Sequence, residues 1–131
     1  MEKAMVSGDD GFLDGVALNL HGFYAGIERI FEDIARTIDN SVPSGPGCHH
    51  NLLLQMAAMV NDARPPVISP ATRLCLDEYR GFSHVVRNVY TFNLRSSTLE
   101  DLCTRMSSCF LQFKQDLHDF VKLLSDVIAS S

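Results

Sequence analysis

No apolar run in this chain of 131 residues is longer than a few positions, which excludes a membrane-spanning helix of about 20 residues. A basic excess is also missing. Eleven Lys and Arg stand against sixteen Asp and Glu, a net charge of −5, which excludes a general nucleic-acid coat protein but leaves room for a small local basic site. The opening MEKAMVSGDDGFLDG carries charge and lacks an apolar core of about 7–15 residues, so no secretory signal is expected and the protein is read as cytoplasmic. Cys48, Cys75, Cys103 and Cys109 form no CxxC pair and no regular framework; in a chain read as cytoplasmic they are expected to be reduced and mostly buried. Gly-rich phosphate loops, HExxH and G-x-S-x-G are all absent, so nucleotide hydrolysis, zinc proteolysis and serine hydrolysis have no support. No Val/Ile/Thr-rich segment alternates with polar residues, so no sheet is expected.

What is present is helical. The length suits one domain, 1–131, whose first ten or so residues are expected to fray. Three breaks divide it: Asp39–Gly47, with two prolines and two glycines in its last five residues; Arg64-Pro65-Pro66 with Ser69-Pro70; and Leu94–Ser97. In HGFYAGIERIFEDIARTID, Phe23, Ile27, Ile30, Phe31, Ile34 and Ile38 follow helical spacing. Asp33, Arg36 and Asp39 read there as a solvated face. A shorter, more apolar helix covers His50–Val60. The third opens on Ser69 as N-cap with Pro70 at the first helical position. The fourth opens on Ser97-Thr98-Leu99-Glu100, a capping-box spacing, and carries its apolar stripe from Leu102 through Met106, Cys109, Phe110, Phe113, Leu117, Phe120 and Leu124 to Ile128. Four helices with short joints predict an all-α, antiparallel four-helix bundle.

The third helix poses the chemical question. At roughly 100° per residue, Cys75, Phe82, Val85, Val86 and Val89 gather on one side with Tyr79 at their edge. Opposite them lie Arg73, Arg80, His84, Arg87 and Thr91, three, four or seven residues apart and able to reach one small ligand. Gly81 and Ser83 flank this stripe and would admit another backbone or a substrate. An imidazole can take the proton of a ribose 2′-hydroxyl or protonate a leaving 5′-oxygen, and a guanidinium beside it can bind the phosphate and stabilise the growing charge. The same spacing also describes a solvated face whose arginines pair with Asp77, Glu78 or another helix, and spacing does not choose between them.

Cys48-His49-His50 raises the question of a metal, but adjacent helical residues point about 100° apart and no fourth ligand is evident. The triplet is therefore assigned to opening the second helix and packing one ring on the bundle. His21 and His118 read as surface or interhelix hydrogen-bonding residues. No metal and no cofactor are expected.

The segments FYAGIERIFEDIARTID, SVPSGPGCHHNLLLQM and, above all, LDEYRGFSHVVRNVYTFNL resemble the HepT-like branch of the HEPN superfamily, small all-α proteins of prokaryotic toxin–antitoxin systems. The resemblance runs from about residue 20 to the C-terminus. It implies a ribonuclease that works as a homodimer, with four to six residues between an Arg and a following His, the two motifs facing each other in a shared cleft. It makes Arg80 the phosphate-binding residue and His84 the acid/base, with Arg87 and Asn88 as further contacts; Arg73, on the same stripe, is expected to add a substrate contact. Arg80 and His84 have three residues between them, one fewer than the usual minimum. In HepT toxins a Tyr two positions after the His is adenylylated by an MntA-like nucleotidyltransferase antitoxin. Val86 stands at that position here, and Tyr90 is the nearest candidate, roughly 80° round the helix.

The expected function is a metal-independent endoribonuclease toxin cleaving RNA by 2′-hydroxyl attack. The alternatives are a non-catalytic helical module that docks a nucleotidyltransferase, and a purely structural dimerisation domain.

Overall fold

Ala17 and Leu20 extend the apolar stripe of the first helix upstream of His21, and the helix begins correspondingly early. A computed structural model describes residues 9–60, 64–88 and 96–130, with side chains over 15–60, 64–84, 99–126 and at 128. Helix α1 spans Asp9–Ile34 and continues into one wider π-type turn, Ala35–Asp39. Ala17, Leu20, Tyr24, Ile27, Phe31 and Ala35 are buried at intervals of three or four. Ile30, expected among them, is exposed instead. Asn40 ends the element in the left-handed region at φ 57°, and its N–H and that of Ser41 both donate to the Ala35 carbonyl. Gly45 and Gly47, at φ 82° and 78°, then turn the chain where a side chain would be strained.

Helix α2, Cys48–Ala57, buries Leu52, Leu53 and Met56. It stops short of Val60 because Ala58 is extended (φ −98°, ψ 154°). Val60 and Arg64 exchange both backbone hydrogen bonds at 3.0 Å, and the Val67 and Ile68 N–H groups donate to the Met56 carbonyl. Val60, Arg64, Val67 and Ile68 thus clasp this connection to the end of α2, with Val67 and Ile68 buried.

Helix α3 spans Pro70–Asn88 and starts as expected. Ser69 Oγ accepts the Thr72 N–H at 3.2 Å and donates to Thr72 Oγ1, while the Ser69 N–H donates to Asp116. Helix α4, Ser96–Ser130, runs 35 residues, about 52 Å. The Ser97 side chain of the expected capping box lies outside the described residues.

Helix α1 packs against all three others, and α3 against α2 and α4. The described chain is therefore an all-α, four-helix bundle, as expected. Phe31 and Phe113 meet edge to face at 5.7 Å, and so do Phe23 and Tyr79 at 5.1 Å. Tyr79 is not at an edge but wholly buried, its hydroxyl donating to the Leu102 carbonyl at 2.6 Å. Burial pushes its phenol above the usual range. In the fourth stripe Leu102, Cys109, Phe113 and Phe120 are buried, whereas Phe110 and Ile128 are exposed. No helix among the described residues is long and apolar enough to cross a membrane.

Two expectations are corrected here. Cys75 and Cys109 are disulfide-bonded, with Cα atoms 6.1 Å apart, so α3 is tied to α4; only Cys48 and Cys103 are free, and Cys103 is exposed. Asp39 is not on a solvated face. Its side chain is 4% exposed and its carboxylate grips the fully buried Arg64 at both oxygens, 2.7 Å from Nε and 2.8 Å from Nη2. The remaining Arg64 N–H groups donate to the Gln55, Ala58 and Pro65 carbonyls, so all five have acceptors. Gln55 adds a hydrogen bond to Asp39 at 2.7 Å and another to the Ser41 carbonyl. Burial alone would raise the Asp39 carboxyl, but the Arg64 and Gln55 hydrogen bonds and the Arg64 charge outweigh it and hold the group below the usual range.

Candidate functional site

The core face of α3 is set by Thr72, Leu76, Tyr79 and Ser83, all fully buried. Cys75 and Phe82 only border it. That face lies about 90° round the helix from the one expected, at 100° per residue. The arginine stripe consequently flanks the core instead of standing opposite it. Arg80 emerges at the seam, with its side chain 21% exposed. Arg73 is half-buried one and a half to two turns earlier, and His84 is exposed one turn later.

Arg80 Nε donates to Asp77 Oδ1 at 2.7 Å, so the pairing of stripe arginines with a neighbouring carboxylate does occur there. Glu78 instead reaches across to α4, where Arg105 holds it together with Asp101. These carboxylates keep the Arg105 guanidinium firmly charged.

A residue from another helix enters the same place. His50 Nδ1 lies 3.7 Å from the Asp77 Oδ1 that takes Arg80. Its neighbour His49 turns the other way and makes a 2.7 Å hydrogen bond to the buried Glu28 of α1. Consecutive histidines at the start of α2 thus diverge, one onto α1 and one onto α3, as their angular separation requires. Sequence reasoning gave His50 only a packing role. Its one available signal was its position in the first turn of a helix joined to α3 by a short connection, and that does not specify a partner.

Of the residues singled out in the sequence, Arg73, Arg80 and His84 share one flank of α3. Arg87 and Asn88 belong to its last turn, with side chains outside the described residues; Tyr90 lies outside them altogether. Ser83 is in the core, its hydroxyl without a hydrogen-bond partner among the described residues. Gly81 meets no atom within 4 Å at the place of a Cβ, so the close approach expected there has no occupant among the described residues. His21 is half-buried, its Nδ1 likewise lacking a described partner, and His118 is exposed. Among the described residues no three His, Cys, Asp or Glu side chains are grouped to hold a metal ion.

Chemically, the α3 flank offers the guanidiniums of Arg73 and Arg80, the Asp77 carboxylate and the imidazole of His84, with that of His50 beside Asp77. That set can bind an anion and move protons.

A family model described as "HepT-like protein" matches residues 15–124. The chain belongs to the HepT-like family. The matched span runs from the first described side chain of α1 deep into α4 and takes in every residue of the α3 flank. No curated protein and no solved structure gives a significant match.

Proposed function

We propose that this HepT-like protein is a metal-independent endoribonuclease, the toxin of a toxin–antitoxin pair. The observation that carries this reading is the placement of Arg80 and His84 one turn apart on one flank of α3, in a HepT-like chain whose resemblance implies that pair. An imidazole takes the proton of a ribose 2′-hydroxyl; the freed oxygen attacks the adjacent phosphorus. The P–O5′ bond breaks, a 2′,3′-cyclic phosphate forms, and the leaving 5′-oxygen takes up a proton. Arg80 neutralises charge on the phosphoryl oxygens as it builds. Arg73, Arg87 and Asn88 extend the contact along the RNA. Two copies of the chain would join two such flanks and so raise the local positive charge in an acidic protein. A nucleotidyltransferase of the MntA type is the partner expected to silence it, with Tyr90 as the candidate acceptor.

One observation favours the second reading, a non-catalytic module docking such a partner. The Asp77 carboxylate already neutralises Arg80.

RNA cleavage in EDTA by the purified wild type, beside Arg80→Ala and His84→Ala, separates the two. Products ending in a 2′,3′-cyclic phosphate and lost in both variants, with circular dichroism unchanged, support the nuclease. A wild type that cuts nothing, or variants that cut equally well, leave the docking module as the better account.

A further inference from the structure

Transesterification of RNA needs two proton transfers, one at the attacking and one at the leaving oxygen. These oxygens stand on opposite sides of the phosphorus, so one imidazole in one place serves both ends poorly. His84 accounts for one transfer. We propose that His50 is the second proton-transfer residue of this site and that Asp77 is its positioning residue, an inference that rests on the ribonuclease reading.

Three features of the described chain carry it. First, the His50 side chain is 45% exposed, yet its Nδ1 is buried and has no hydrogen-bond partner among the described residues. The part of the side chain in solvent therefore lies away from Nδ1, and Nε2 is not among the buried unpartnered atoms. Second, Nδ1 lies 3.7 Å from Asp77 Oδ1. A carboxylate at that nitrogen favours the proton there and leaves the Nε2 lone pair facing outward, the tautomer a general base requires. The separation is longer than a hydrogen bond, and such contacts commonly tighten only when substrate is in place. Third, the same Oδ1 accepts Arg80 Nε at 2.7 Å, so one carboxylate oxygen orients both the imidazole and the phosphate-binding guanidinium. Asp77 precedes Arg80 by three residues and His84 follows it by four. A phosphate held at Arg80 thus has His50, brought by α2, on the Asp77 side and His84 on the other.

The charge arithmetic agrees. With His50 neutral, Asp77 and Arg80 cancel; with His50 protonated, the group of three is cationic. A proton taken by His50 from the attacking hydroxyl therefore adds positive charge beside the phosphate as negative charge builds there. His49, next in the chain, is engaged with Glu28 of α1.

The test is steady-state cleavage of an RNA oligonucleotide in EDTA across pH, for the wild type, His50→Ala, His50→Gln and Asp77→Asn, each checked by circular dichroism. Expected for the wild type is a bell-shaped kcat/KM profile. His50→Ala should lower kcat by roughly 10²–10⁴-fold with KM little changed, and should remove one limb of the bell. His50→Gln should match it, and decides alone if the alanine variant fails to fold. Asp77→Asn should lower kcat while leaving KM unchanged or smaller, since Arg80 loses its competing carboxylate; a purely structural Asp77 would not split the constants that way. If the wild type cuts and His50→Ala or His50→Gln keeps its kcat and both limbs, or raises KM alone, His50 is not a proton-transfer residue and the Arg80–His84 nuclease stands without it. A wild type without cleavage overturns the ribonuclease reading, and this inference falls with it.

Discussion

Arg64 and Arg80 each bring Nε to within 2.7 Å of an aspartate Oδ1, on Asp39 and Asp77 respectively. The surroundings differ. Arg64 is wholly buried, its carboxylate grips two of its nitrogens, and three backbone carbonyls and Gln55 close the network. Arg80 sits at a seam with 34% of the Asp77 side chain in solvent, and Asp77 is shared with a histidine from another helix. In a low-dielectric interior a charge can persist only if every donor and acceptor is met. The Arg64 pair satisfies that condition and has nothing left to offer a ligand. The Arg80 pair is partly solvated and uses Nε for Asp77, which leaves the rest of the guanidinium without a closed network around it among the described residues. The same two residue types thus lock the end of α1 in one place and form a partly solvated pair, open to a further partner, in the other.

The comparison breaks most visibly in stability. Arg64→Ala should cost about 3–5 kcal/mol, because it strands the Asp39 carboxylate in the interior. Urea denaturation would show it as a large fall in midpoint. A loss below about 1 kcal/mol would mean that water reaches Asp39 and that the two pairs are alike.

Acid should separate them next. The Asp39 carboxyl is held below its ordinary value in the folded chain, so its contribution is complete above the unfolded value of about 3.9 and is lost as pH falls through the folded one. Stability measured from pH 6 down to pH 2 should therefore decline more steeply in the wild type than in Asp39→Asn, which starts lower. Parallel curves would remove Asp39 as the acid-sensitive group.

Arg80→Ala should cost only about 0.2–1 kcal/mol, the range of partly exposed pairs. Its effect belongs in RNA cleavage instead. A loss of several kcal/mol would place Arg80 with Arg64 as a structural arginine.

How much of this could be read from the sequence follows from distance along the chain. The helices, the Ser69 cap and Pro70 at the first turn of α3 were legible because their signals are local and periodic. The Arg64–Asp39 pair spans 25 positions and the Cys75–Cys109 bond 34, and neither has a periodic signature. Arg64 read as part of a break and Asp39 as a solvated acid for that reason. The face of α3 was misjudged for a different one. Thr72 and Ser83 count as polar, but Thr72 takes its hydrogen bond from Ser69 and can then be buried, while the larger Phe82 is left at the border. Arg80, His84 and their shared flank were legible. The Asp77–Arg80 pairing, three residues apart on one helix, was legible as an alternative; His50 beside Asp77 was not, since the two meet only when α2 folds back on α3.

The smallest expected effect probes the space beside Arg80. Glycine within a helix costs about 0.5–1 kcal/mol relative to alanine, and a Cβ at Gly81 meets nothing within 4 Å among the described residues. Gly81→Ala should therefore raise stability by up to about 1 kcal/mol in the isolated chain, read as a higher denaturation midpoint. Cleavage of RNA by the same variant sharpens the contrast with the closed Arg64 pair. If stability rises and cleavage is kept, the space next to Arg80 is merely open solvent and the site ends at the guanidinium. If stability rises and cleavage falls, the missing side chain is what lets substrate or a second copy approach Arg80, and the helix carries its unfavourable glycine for that contact.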